Sequence, residues 1–248
     1  MSVLLRTKTL SKSFGSLAAV RDVSLEFHAG EIHAVIGPNG AGKTTFLNLL
    51  SGELSPTAGS LHFDGATITH WSPDRRARAG IGRSFQHSSV FEDLTTFENA
   101  RLAAQTKLPS SFRFFRPATR YDLVNASASA VLDELGLAES VDVAAGEISH
   151  GEQRQLEIAM LMAIEPKLML LDEPTSGMGR AETTELVETL RALSRKHTLV
   201  LVEHDMDVVF TLANRITVMV NGAVLASGSP EDVRANANVR TAYLGDEP

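Results

Sequence analysis

The chain has 248 residues, 43% hydrophobic and 21% charged, with a formal net charge of −7. That is enough to bury a sizeable core as one large or two modest domains, with no global basic field to hold nucleic acid. There is no cysteine, which excludes disulfides, thiolate metal sites and a cysteine nucleophile.

Residues 1–8 hold no long apolar stretch of the secretory kind, and no apolar run approaches the ~20 residues that span a bilayer. A cytosolic chain that meets any membrane through a partner is the expectation. In chain order, residues 20–27 alternate roughly as a half-buried antiparallel strand. Ile32-His33-Ala34-Val35-Ile36 is a tight apolar run leading straight into Gly37-Pro38-Asn39-Gly40-Ala41-Gly42-Lys43-Thr44-Thr45. Ser60-Leu61-His62-Phe63 followed by Asp64-Gly65 reads as a strand and turn. Residues 95–163, rich in Ala, Leu and Glu at helical spacing, read as a helical insertion. Leu168-Met169-Leu170-Leu171 leads into Asp172-Glu173, and Leu199-Val200-Leu201-Val202 into Glu203-His204. Residues 206–213 look helical, and 216–225 read as a hairpin through Asn221-Gly222. Short apolar strands that end in such loops point to a mainly parallel sheet covered on both faces, with the ligand at the strands' C-terminal ends.

Residues 37–44 fit G-x-x-x-x-G-K-[ST] between an expected strand and helix, the context this phosphate-binding motif requires. Asn39, Gly40, Ala41 and Gly42 let backbone N–H groups wrap phosphates, and the helix N-terminus adds a favourable dipole. Lys43 would reach the β- and γ-phosphates, Thr44 would ligate Mg²⁺, and Thr45 would contact the α-phosphate. A chance match in a chain this long has a probability of roughly 1%. Asp172-Glu173 puts two carboxylates at a strand tip, one to hold the metal through water and the next to polarise an attacking water. An acidic turn after a buried strand is the plainer reading, and the phosphate loop outweighs it. A lone histidine is more often a structural hydrogen-bonder than a catalytic one, but His204 lies in the third chemistry-bearing loop. Gln86, in Gly82-Arg83-Ser84-Phe85-Gln86, reads alone as a surface amide. Phe14, in Ser13-Phe14-Gly15, reads alone as a core aromatic equally well. Residues 107–121, with Phe112, Arg113, Phe114, Phe115, Arg116 and Arg120, form an aromatic–basic insertion. A surface loop packing on its own helices is favoured there over contact with transmembrane subunits or lipid headgroups.

Together these motifs resemble the ATP-binding subunit of an ATP-binding cassette (ABC) transporter over essentially the whole length. The resemblance implies an α/β fold: a P-loop NTPase core with a mainly parallel sheet, an N-terminal antiparallel β subdomain and a helical insertion. It implies one ABC ATPase domain over 1–248, with 1–94 and 164–248 as the RecA-like core plus the β subdomain and about 95–163 as the helical subdomain. By this resemblance Phe14 stacks on adenine, residues 37–45 are the Walker A loop, and Gln86 is the lid glutamine that touches the metal. Residues 148–153 match the signature motif, whose Ser149 and Gly151 face the γ-phosphate held by an opposite subunit. Asp172 and Glu173 match the Walker B aspartate, a metal ligand, and the catalytic glutamate; His204 matches the switch histidine. Two positions depart from the pattern. His150 replaces the first of two signature glycines, and Met178-Gly179 stands where Leu-Asp is usual, removing a carboxylate expected in communication across the dimer.

Ser149-His150-Gly151-Glu152-Gln153-Arg154-Gln155-Leu156-Glu157-Ile158-Ala159, Val202-Glu203-His204-Asp205-Met206 and Val239-Arg240-Thr241-Ala242-Tyr243-Leu244-Gly245 resemble branched-chain amino-acid and urea importer ATPases. The expectation is an ATP- and Mg²⁺-dependent subunit powering import of branched-chain amino acids or a related small polar or carboxylate solute. Its implied partners are two transmembrane permease subunits, a second ATP-binding subunit (a homologous heteromeric partner or a second copy) and, indirectly, an extracytoplasmic solute-binding protein. It would sit peripherally on the cytoplasmic face of the inner or plasma membrane. A lipopolysaccharide-type exporter ATPase is the nearest rival, and a soluble ABC ATPase of DNA repair or the ribosome a more distant one. A silent nucleotide-binding regulator is disfavoured by the joint presence of Lys43, Asp172, Glu173 and His204.

Overall fold

The structure is a computed structural model that describes residues 2–84, 90–107 and 121–244. Gln86 and the aromatic and basic residues at 112–120 lie outside the described residues.

Three strands have five buried residues out of five: β4 (Ile32–Ile36), β8 (Leu168–Asp172) and β9 (Thr198–Val202). Strands covered on both faces read as unbroken apolar runs, which is the pattern of a parallel sheet. They lie side by side in a six-stranded sheet of order β11-β10-β4-β9-β8-β7, with β7 at Ile81–Arg83, β10 at Arg215–Val220 and β11 at Ala223–Gly228. Every pairing is parallel except β10 with β11, joined by the turn at Asn221-Gly222. Both turn residues have positive φ, 49° and 80°, as a two-residue type I′ hairpin demands.

Alternation along the central strands divides the core in two. Ile32, Ala34, Ile36, Leu199 and Leu201 face a helical layer. Val35, Val200, Val202, Leu168 and Leu170 face the opposite way, onto α1 (Lys43–Ser51) and an antiparallel sheet. That second sheet runs β2-β1-β5-β6, with β1 at Val3–Phe14, β2 at Leu17–Val23, β5 at Ala58–Phe63 and β6 at Ala66–Thr67; β3 (Glu26–His28) also pairs with β1. The single strand expected over 20–27 is therefore two strands. The chain leaves the ladder at residues 24–25, and β2 and β3 pair with different stretches of β1. A short helix α2 (Pro73–Ala79) precedes β7.

The helical layer holds α3 (Thr96–Gln105), α4 (Asp122–Glu134) and α5 (His150–Ala163), followed by α6 (Arg180–Leu193) and α7 (Met206–Leu212). α6 buries Leu186, Val187, Leu190 and Leu193, the i, i+1, i+4, i+7 spacing of one helical face. Helices α8 (Pro230–Ala235) and α9 (Ala237–Leu244) close the described chain. No helix among the described residues is long and apolar enough to cross a membrane.

Candidate functional site: a nucleotide cleft and a separate signature helix

Strand β4 ends in a loop that only glycine fits at two points. A Cβ on Gly37 would lie 2.2 Å from the Met219 carbonyl oxygen. Gly42 has φ at +94°, and a Cβ there would lie 2.2 Å from the Ala19 carbonyl oxygen. These close approaches lock the loop between β10 and β2. Gly222 N donates to Ala41 O at 3.0 Å, and Arg21 N to Gly222 O at 2.7 Å. Gly42 also caps α1 with no side-chain acceptor, so the first-turn N–H groups stay open to an anion.

An open cleft of about 870 Å³ lies over this loop, lined by Phe14, by residues 39–45 and by Glu173. Phe14 is 48% exposed, which disposes of the core-aromatic reading: the ring lies at the end of β1 on the cleft wall, with Lys12 Nζ 5.2 Å from its centroid. Lys43 is nearly buried and donates to the carbonyls of Gly37 at 2.7 Å and Pro38 at 3.1 Å. Burial lowers its pKa, opposed by the charges of Glu173 and Asp172. A phosphate anion would satisfy that ammonium better than two loop carbonyls.

Asp172 ends β8 and is 1% exposed. Neither carboxylate oxygen has a hydrogen-bond partner, and the nearest cation, Arg83 Nη2, is 3.6 Å away. Burial raises its pKa, partly offset by Arg83 and reinforced by Glu173. A buried carboxylate left open in this way fits a divalent cation. Among the described residues, no cluster of three or more His, Cys, Asp or Glu could hold a metal by itself. Thr44, exposed at the start of α1 and lining the cleft, and ligand phosphates would supply the other oxygens. Glu173 follows with φ at +48° and turns towards the cleft. His204 Nδ1 lies 3.7 Å from Glu173 Oε2.

Sequence reasoning passed over Glu203. It is fully buried and joins two loops: Oε1 accepts from Thr175 N at 3.0 Å and Thr175 Oγ1 at 2.7 Å, while Oε2 accepts from His204 N at 3.1 Å. A carboxylate closing a buried apolar run was the available signal.

Ser149 and Gly151 are not among the residues lining the cleft. Ser149 caps α5 in a reciprocal box with Glu152: Glu152 N donates to Ser149 Oγ at 3.2 Å, and Ser149 N to Glu152 Oε2 at 2.9 Å. A Cβ on Gly151 would lie 2.7 Å from Glu182 Oε1, and Gly179 N donates to Glu182 Oε2 at 2.8 Å. At Gly179, which lacks the carboxylate expected there, Glu182 caps α6 and packs against the signature glycine.

Residues 20–176 match the family model described as "ABC transporter", and residues 223–248 match "Branched-chain amino acid ATP-binding cassette transporter". The chain is 38% identical over 250 residues to the high-affinity branched-chain amino acid transport ATP-binding protein BraF of Pseudomonas aeruginosa, covering 98% of each. It is 34% identical over 248 residues to the lipopolysaccharide export system ATP-binding protein LptB of Acidithiobacillus ferridurans, covering 100% of this chain and 99% of that one. A nucleotide-free ATP-binding cassette from an ABC transporter superposes with a TM-score of 0.88 at 27% identity, covering 99% of this chain and 100% of the other. A glycine loop open to phosphates, an aromatic platform at the rim and full-length likeness to transport ATP-binding proteins lead to one conclusion: the chain belongs to the ABC transporter family, as a nucleotide-binding ATPase subunit.

Proposed function

We propose that this ATPase powers a branched-chain amino-acid importer, working on the cytoplasmic face of the membrane with two permease subunits and a second ATP-binding subunit. One observation carries the ATPase reading: the cleft joins Phe14, the loop at 39–45 and Glu173, while Ser149 and Gly151 lie elsewhere on the same chain. A site built so lacks half its phosphate ligands until another subunit supplies its own signature helix.

In this reading Phe14 stacks on adenine, and the backbone at 39–42 with Thr45 holds the phosphates. Lys43 leaves the Gly37 and Pro38 carbonyls for the β- and γ-phosphates. Asp172 and Thr44, with Gln86, would hold a divalent cation, which would supply positive charge against the phosphates. Glu173 orients the attacking water and accepts its proton, with His204 beside it to contact the γ-phosphate. Ser149 and Gly151 meet the γ-phosphate of the opposite subunit, and the helices between 95 and 163 carry that closure towards the permeases.

Glu173→Gln is expected to keep nucleotide affinity within about twofold and to lose at least about a hundredfold in hydrolysis, the usual contribution of a general base. Titration of a fluorescent ATP analogue and phosphate release check the two halves. Turnover at the wild-type rate would falsify the assignment. The match of residues 223–248 to the branched-chain model favours import over the exporter reading. Uptake of radiolabelled leucine by cells with and without the chain tests it: unchanged uptake in its absence removes the cargo assignment and leaves the ATPase intact.

A further inference from the structure

Glu173 holds a left-handed backbone, φ +48°, which a non-glycine residue keeps only where its surroundings over-determine it. Glu173 N donates to Val202 O at 2.9 Å. On the other side, three successive carbonyls converge on one guanidinium. Arg154 Nη2 donates to Asp172 O at 2.9 Å and to Glu173 O at 3.1 Å, and Nε donates to Pro174 O at 3.1 Å. Arg154 Nη1 pairs with Glu157, three residues further along α5. The two side chains are only 12% and 6% exposed, so these charge-assisted bonds lie where water replaces them poorly. Arg154 does not line the nucleotide cleft.

We propose that Arg154 is a positioning residue for hydrolysis: from helix α5 it fixes the backbone of residues 172–174 and so aims the Glu173 carboxylate. The functional half rests on Glu173 as the water-activating base. The guanidinium suits the task because its planar fork reaches several acceptors at fixed angles, which the single ammonium of lysine does not. Because α5 also begins at Ser149 and Gly151, movement at its N-terminus is carried to the catalytic carboxylate through one side chain.

The test uses the full chain with Arg154→Gln and Arg154→Lys. Hydrogen–deuterium exchange across residues 170–176, measured without nucleotide, is expected to quicken in both variants. Affinity for an ATP analogue should stay within about twofold, because Arg154 does not line the cleft and reaches it only through the Glu173 carbonyl. Single-turnover hydrolysis should fall about a hundredfold in Arg154→Gln, the scale of an ångström-level misplacement, with partial recovery in Arg154→Lys. In the Glu173→Gln background, adding Arg154→Gln should change the residual rate less than twofold, since the effect passes through Glu173. An equal loss in that background, or wild-type exchange and hydrolysis in Arg154→Lys, overturns the proposal. Should Arg154→Gln not fold, the lysine variant carries every arm. Should Glu173→Gln hydrolyse ATP like wild type, the base assignment fails, and exchange still decides whether Arg154 holds the loop.

Discussion

At the scale of single residues, Asp172 is held in a state that costs stability for the sake of a ligand. Its carboxylate is buried, lacks hydrogen-bond partners and sits beside Glu173, so its folded pKa is raised. A raised acid pKa means that the folded protein holds the proton to higher pH than the unfolded chain does. The favourable contribution is then present below the unfolded value, near 3.8, and is lost as pH rises through the higher folded pKa. At neutral pH the ionised group is a net cost to the nucleotide-free protein. Asp172→Asn, which keeps the shape and removes the charge, is therefore expected to raise the thermal midpoint without nucleotide. Each kcal/mol corresponds to roughly 2–4 °C in a chain of this size. The same variant should lose the extra stabilisation that Mg²⁺ with ATP gives the wild type. Differential scanning fluorimetry across pH, with and without Mg²⁺ and nucleotide, measures both. A lowered midpoint in the asparagine variant would show that Arg83, 3.6 Å away, already compensates the charge.

At the scale of elements, α1 carries Lys43 at its start and is anchored at its end by a residue from α2. Arg76 is 1% exposed and donates to Leu49 O at 2.6 Å, Leu50 O at 2.8 Å, Ile68 O at 3.0 Å, Thr69 O at 3.1 Å and Trp71 O at 3.2 Å. Last-turn carbonyls of a helix lack intrahelical donors, and a cation there also favours the dipole. Burial pulls the Arg76 pKa down to about 10, which leaves it charged at neutral pH. Arg76→Met strands several buried acceptors and is expected to cost at least about 3 kcal/mol in urea unfolding; an unmoved midpoint would contradict the anchor. Arg76 and Arg154 also mark where sequence stops being legible. An arginine that binds main-chain carbonyls from distant segments has no motif, because its acceptors exist at every residue. By contrast, β4, β8 and β9 were legible, since a strand covered on both faces must be an apolar run, and Asn221-Gly222 announces its own turn. Strand β1 was not: it mixes exposed polar residues with a buried Thr7 rather than forming an apolar run, and its extent is set by pairing with β2, β3 and β5. In the site, the contiguous glycine loop and Asp172-Glu173 could be read directly. Glu203, which ties Thr175 to His204, could not, because its partners lie 28 residues away and one residue away with no spacing rule linking them.

At the scale of the whole molecule, the geometry sets the phosphate loop and the signature helix apart, and the absence of cysteine makes the consequence directly measurable. Asn39 lies at the exposed tip of the phosphate loop, and Ser149 is exposed at the start of α5. If each nucleotide is clasped by the loop of one subunit and the signature of another, these two positions approach each other across the dimer, with the triphosphate between. Chains carrying Glu173→Gln with Asn39→Cys, mixed with chains carrying Glu173→Gln with Ser149→Cys, are therefore expected to form a covalent dimer on mild oxidation. The dimer should appear only with ATP, because the nucleotide phosphates attract the uncapped N-terminus of α1 and the positive end of the α5 dipole, and without them the two faces have little reason to meet. Adding Lys43→Ala to the Asn39→Cys chain should weaken the cross-link, since that loop then lacks its principal phosphate cation. Adding it to the Ser149→Cys chain should leave the cross-link unchanged, because that chain contributes only its signature helix to the bridged site. The asymmetry separates a composite site from ordinary association through an unrelated surface, which would respond to neither substitution or equally to both. If the working assembly pairs this chain with a homologous ATPase, the same cysteine pair divided between the two chains should cross-link under the same nucleotide dependence.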